Sequence, residues 1–162
     1  MKIINNFTCH SNRAVTGQRF GILSILIIFG LMIGLLFEGQ SQAQSIAIIV
    51  NPAITDNTIK AKTVRKIYLG KSNQTDAGAA ITAVDQDDSD LRVQFYLKVT
   101  RKNPDKLKLY WTKKVMSGKG SKLKRVGGDS KIVEWVAGHA DAMGFVDASK
   151  VDDSVKVLLI IE

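Results

Sequence analysis

The chain has 162 residues, 45% of them hydrophobic, with a formal net charge of +8 and a single cysteine. One cysteine excludes an intramolecular disulfide and a thiolate metal cluster. The positive excess makes anions the partners to look for.

Residues 1–43 read as a signal peptide or N-terminal anchor rather than as part of a fold. Lys2, Arg13 and Arg19 form a positive start, and Phe20 to Phe37 is an uncharged apolar run. Ser41-Gln42-Ala43 then offers small residues to a signal peptidase, with cleavage before Gln44. The alternative is an uncleaved anchor, because residues 20–37 are just long enough to span a bilayer. Either way the folded part lies outside the cytoplasm, in the periplasm. Cys9 precedes the apolar run, so it is not placed as a lipid attachment site. Export argues against nucleic acid as a partner.

Residues 44–162 are long enough for one domain with one modest core. They hold 20 basic and 14 acidic residues, and the excess is local. No acid lies between Asp105 and Asp129, whereas Lys106, Lys108, Lys113, Lys114, Lys119, Lys122, Lys124 and Arg125 all do.

Ile46 to Val50 is a continuous β-branched apolar run, the pattern of a strand buried on both faces, and Asn51-Pro52 ends it. Thr58 to Leu69 reads as a helix with Ile59, Val64, Ile67 and Tyr68 on its apolar side. Gly70 stands where a left-handed C-terminal residue belongs. A strand is expected at Ile81 to Val84, and Asp85 to Asp90 reads as a turn and helix cap. A helix over 88–100 follows, with Leu91, Phe95 and Val99 on its buried face. Asn103-Pro104 restarts the chain into another helix, on which Leu107, Tyr110, Trp111 and Val115 space as a buried face. Ser117 to Ser121 reads as a flexible loop. Ile132, Val133, Trp135 and Val136 give a last amphipathic helix, and Trp111 and Trp135 both read as core. Strands are expected at Met143 to Val146 and Val155 to Ile160. Strands alternating with helices imply an α/β fold: a parallel or mixed sheet covered by helices.

The stretch from strand to helix at 81–99 is the first place to look for a ligand. A helix start at the carboxyl end of a strand presents unpaired N–H groups and the positive end of the helix dipole. Other chemistry is poorly supported. Ser89, His139 and Asp141 have no Gly-x-Ser-x-Gly elbow, so hydrolysis is not expected. His139 is the one histidine of 44–162 and reads as a surface-loop residue, which leaves no transition-metal set. Asp85, Asp87, Asp88 and Asp90 lack the glycine and distal glutamate of a calcium loop. Gly118-Lys119-Gly120-Ser121 lacks the strand and spacing of a P-loop. No enzyme activity, cofactor or metal is expected.

Three motifs in order resemble a known family. Ile67-Tyr68-Leu69-Gly70-Lys71 ends a helix; an Asp/Ser turn leads into a helix with Phe95-Tyr96. Val126-Gly127-Gly128-Asp129 then precedes a helix with Val136-Ala137 and the strand Ala142-Met143-Gly144-Phe145-Val146. Together they resemble the phosphate-binding periplasmic components of phosphate ABC transporters, across 46–160. The resemblance implies one lobe of a type 2 periplasmic solute-binding protein, with a three-layer-like arrangement. It also implies a site. Ser89 and the N–H groups around it would receive phosphate or a related oxyanion, Arg92 would neutralise it, and Asp88 or Asp90 would accept its proton. Gln86 and Gly127-Gly128-Asp129 would form the facing wall. The partners implied are an ABC permease or a sensor protein.

The chain departs from the family at that turn. The family's usual Asp-Gly-Ser-Gly-Thr keeps its serine at Ser89, but Asp88, Asp90 and Leu91 replace the flanking glycines and the threonine. Asp87, Asp88 and Asp90 can cap the helix start themselves. Two like charges ~4 Å apart repel by roughly 4 kcal/mol at an effective dielectric of ~20. A plain acidic cap on a core helix is the competing reading. The length also covers only one lobe, so a tight site would need a homodimer or a partner protein. A second function stands beside phosphate binding: an envelope interaction module that docks an anionic surface or a partner's acidic face through the basic stretch 106–125.

Overall fold

The computed structural model describes residues 44–87 and 89–162; the expected signal segment and Asp88 lie outside the described residues. The elements in chain order are β1 (Ile46–Val50), α1 (Ala61–Tyr68), β2 (Thr82–Gln86), α2 (Asp90–Thr100), α3 (Pro104–Met116), β3 (Lys124–Gly127), α4 (Asp129–Gly138), β4 (Ala142–Asp147) and β5 (Lys156–Ile161). Every residue of β1 is fully buried, as its unbroken apolar run requires. Its side chains alternate between two cores. Ile46, Ile48 and Val50 meet residues of α1, α2 and α3 on one face, and Ala47 and Ile49 meet those of α4 on the other. The result is three layers: helices, one sheet, and a helix.

The sheet is mixed, in the order β3-β2-β4-β1-β5. β2 pairs in parallel with β3 and β4, whereas β1 pairs antiparallel with β4 and β5. α4 lies close on β4 because residue 144 is glycine: a Cβ there would meet Ile132 Cγ2 at 2.5 Å. The opposite core centres on Tyr68, Phe95, Tyr96 and Phe145, with Phe95 and Phe145 stacked at 3.9 Å.

Several expectations shift by a few residues, each for a local reason. α1 begins at Ala61, not Thr58, because Lys60 is extended and its N–H is held by the Asp76 carboxylate at 2.8 Å. Thr63 donates to the same carboxylate at 2.6 Å. Asp76 therefore caps α1 from across the loop, and the Thr63 bond foremost holds its pKa below the ordinary value. β2 continues through Asp85 and Gln86, which read as a turn, because β3 pairs with them. β3 itself had no apolar signature; as an edge strand with one paired side it tolerates Lys124 and Arg125. Trp111 is buried as expected, but Trp135 is only half-buried and stacks on the exposed ring of His139 at 4.0 Å.

Gly70 takes the expected left-handed conformation, with φ +60°. The Tyr110 hydroxyl and Lys114 Nζ both donate to Leu69 O, each at 2.8 Å, closing the C-terminal end of α1 from α3. Gly70 also packs against Trp111 and Lys114. The Tyr-Leu-Gly-Lys motif thus does structural work: an aromatic core residue, a helix stop and a dock for α3.

Candidate functional site

The chain leaves β2 through α2 and α3 to reach β3 on one side, then crosses back through α4 to β4 on the other. The two crossovers cover opposite faces of the sheet. That connectivity puts the starts of α2 and α4 at the carboxyl ends of β2 and β3, the end of the sheet where open α/β folds hold ligands. The start of α2, the start of α4 and the end of β2 all meet there.

Gln86, the last residue of β2 and only 2% exposed, joins the two helix starts. Its Nε2 donates to Asp129 Oδ1 at 2.5 Å and to Phe145 O at 2.9 Å. Its Oε1 accepts from the Ser89 hydroxyl at 3.3 Å. Ser89 is the N-cap of α2 and accepts from Arg92 N at 3.1 Å. Asp129, the first residue of α4, also accepts from Asp147 N at 3.4 Å. Gly127 O accepts from Asp87 N at 3.1 Å, which ties the turn before α4 to the end of β2. Gly127 has φ +132°, a conformation that favours glycine, and a Cβ there would press on Lys131. Gly128 is the N-cap of α4 and, as a glycine, supplies no side-chain cap of its own.

The structure therefore brings Gln86, Ser89, Gly127, Gly128 and Asp129 together around one point, with Asp90 exposed at the start of α2. Arg92 is directed elsewhere. Its Nε and Nη2 form a forked pair with Asp85, with contacts from 2.8 to 3.1 Å, and its guanidinium lies 4.9 Å from the Tyr96 ring centre. Both side chains of the pair are nearly buried, at 11% and 7% exposure. The alternation of a strand explains the split: Asp85 and Gln86 are neighbours, so one turns to α2 and the other to α4. Sequence reading placed Asp85 in a turn and so missed it as the partner of Arg92; an acid seven residues before an arginine carries no recognisable spacing.

Burial raises the Tyr96 hydroxyl far above its ordinary pKa, and the Asp85 charge adds to the effect. Burial does the same to Tyr68, with Tyr96 the next contributor. Neither hydroxyl has a hydrogen-bond partner among the described residues. Asp147, at the end of β4, has its pKa lowered first by the Gln44 side chain, which donates to it at 2.5 Å, and then by Ser149. Among the described residues no group of three His, Cys, Asp or Glu side chains is placed to hold a metal ion, and no helix is long and apolar enough to cross a membrane.

No protein-family model matches the sequence, and no curated protein matches it. Solved structures do. The fold is similar to a phosphate ABC transporter substrate-binding protein from Clostridium perfringens, solved with bound phosphate (22% identity, TM-score 0.56). It covers 71% of this chain and 44% of that one. An ABC-type phosphate transport receptor from Vibrio cholerae matches at 20% identity and TM-score 0.54, over 71% of this chain and 45% of the receptor. PstS from Borrelia burgdorferi matches at 12% identity and TM-score 0.53, over 71% and 46%. The chain spans less than half the length of these structures. At such identities the likeness is one of fold: an α/β unit similar to one lobe of a periplasmic binding protein, in keeping with the family resemblance read from the motifs.

Proposed function

We propose that the protein is an exported, non-enzymatic binding protein for phosphate or a related oxyanion, which it receives between the starts of α2 and α4. The single observation that carries this reading is Gln86, whose amide links Ser89 on one helix start to Asp129 on the other at the carboxyl end of β2. The fold supports it, because its solved relatives include one holding phosphate. The anion would take N–H groups of the two helix starts and the Ser89 hydroxyl. Asp88, Asp90 or Asp129 would accept the proton of a hydrogen phosphate, and Gly127 and Gly128 would let the backbone approach. Arg92 would lower the local potential from its place on Asp85. One lobe leaves the anion facing water, where contacts weaken. Closure by a second copy, an ABC permease or a sensor protein in the periplasm completes this reading.

Calorimetric titration with phosphate, and with sulfate as control, tests it at about 0.15 M salt. The expected result is saturable one-to-one binding, weaker for sulfate, lost in Ser89→Ala and weakened in Arg92→Ala. No heat up to millimolar phosphate overturns it. The basic stretch then becomes the functional surface, a reading favoured by the exposure of Lys106, Lys113, Lys119 and Lys124.

A further inference from the structure

The two edges of the sheet are built differently. β3, at one edge, carries Lys124 and Arg125, both exposed, and charge on an edge strand guards against pairing with another chain. β5, at the other edge, runs Lys-Val-Leu-Leu-Ile-Ile and has no charge and no proline from Val157 to Ile161. Its guard is one register shift, opposite Ile48 and Ile49. Leu159 and Ile161 pack partly against the core beside α1, α2 and α3, and Val157 against the core beside α4. Ile160 is left 45% exposed. Among the described residues β5 pairs with β1 alone, so its outer side is an apolar strand edge.

The charges at the two ends of β5 select the partner. Lys156 opens the strand and Glu162 follows it, so the apolar run lies between a cation and an anion. Two copies of β5 laid antiparallel about a twofold axis near Leu159 bring Lys156 of each opposite Glu162 of the other. Between the two charge pairs, apolar residues meet apolar residues. A parallel, in-register pairing would set like charges side by side. Lys156 Nζ already donates to Ile54 O, and an ammonium group has further donors to give. We propose that β5 is the contact surface for a second copy of this chain, which joins the two sheets into one across an antiparallel twofold edge. The surface is separate from the site proposed for phosphate. β1 and β4 lie between β5 and β2, so the pairing extends the sheet away from the starts of α2 and α4.

Sedimentation velocity of the chain from Gln44 onward tests the assignment, since residues from Ile46 onward supply both cores. Concentrations from about 1 μM to about 1 mM cover weak to moderate association. A reversible dimer is expected to form as concentration rises. Ile160→Lys puts a charge on the apolar edge and should stay monomeric across the range, with the circular dichroism of the parent. Glu162→Lys sets a lysine against Lys156 and should raise the dissociation constant by about fivefold, the scale of two lost cross-strand charge pairs. Ser89→Ala should leave the dimer unchanged, so this surface and the phosphate site fail independently. A parent that stays monomeric throughout overturns the inference. So does a dimer that either Ile160→Lys or Glu162→Lys leaves unchanged.

Discussion

On one side of α2, Asp85, Gln86, Ser89 and Asp129 bind one another or their immediate neighbours; on the other, Lys108 and Lys122 extend into solvent around an apolar floor. Both regions are polar, and the same helix separates them. The first is built from residues nearly or wholly withdrawn from water, at Asp85, Gln86 and Arg92, so its polar atoms must find partners within the protein. The second stays at the surface, where water satisfies the ammonium groups. Internal hydrogen bonds make the first region a brace that fixes the two helix starts. Exposed ammonium groups make the second a solvated rim. An anion entering between the helix starts competes with the protein's own carboxylates, and Arg92, which also lines the cleft over that apolar floor, is already forked onto Asp85.

The comparison breaks first at Asp85. Asp85→Ala leaves the nearly buried Arg92 guanidinium without its forked partner, and a loss of ~3 kcal/mol is expected in denaturant unfolding. A loss below 1 kcal/mol would mean that solvent reaches Arg92 and that the brace is no more closed than the cleft. Ser89→Ala sharpens the contrast at smaller scale. It removes the α2 cap and the hydroxyl offered to Gln86, for an expected loss of ~1 kcal/mol by the same measurement. The smallest effect concerns Asp76, a surface carboxylate outside both regions. Its pKa is lowered in the folded state, first by Thr63 and then by the Lys60 N–H. Its contribution is therefore full above its ordinary value, near about pH 4, and is lost as pH falls through the lowered folded value. Acid titration of Asp76→Asn should show a shallower decline below pH 4 than the parent. Parallel declines would show that Asp76 caps α1 without its charge.

Much of the fold was legible because it rests on local pattern. The apolar run of β1, the helix stop at Gly70 and the Pro104 start of α3 each announce themselves within a few residues. The site was legible in part. Ser89, Gln86 and Asp129, each named as an expectation, share hydrogen bonds through Gln86, although Ser89 and Asp129 are forty residues apart. The pairing of Arg92 with Asp85 escaped the sequence because it depends on where β2 ends. That in turn depends on β3, whose Lys-Arg-Val-Gly carries no strand signal of its own. Trp135 was misjudged for a related reason: helical spacing identifies a face, but only packing decides how much of that face is covered.

Composition and period by themselves determined an α/β chain, the two-faced burial of β1 and the local excess of lysines, since each follows from side-chain chemistry at short range. Tertiary structure alone decided that the sheet is mixed, that Asp85 claims Arg92, and that four basic residues from three elements converge on one cleft. Those outcomes depend on strand order, and strand order is set by long-range contacts that no short stretch of sequence encodes.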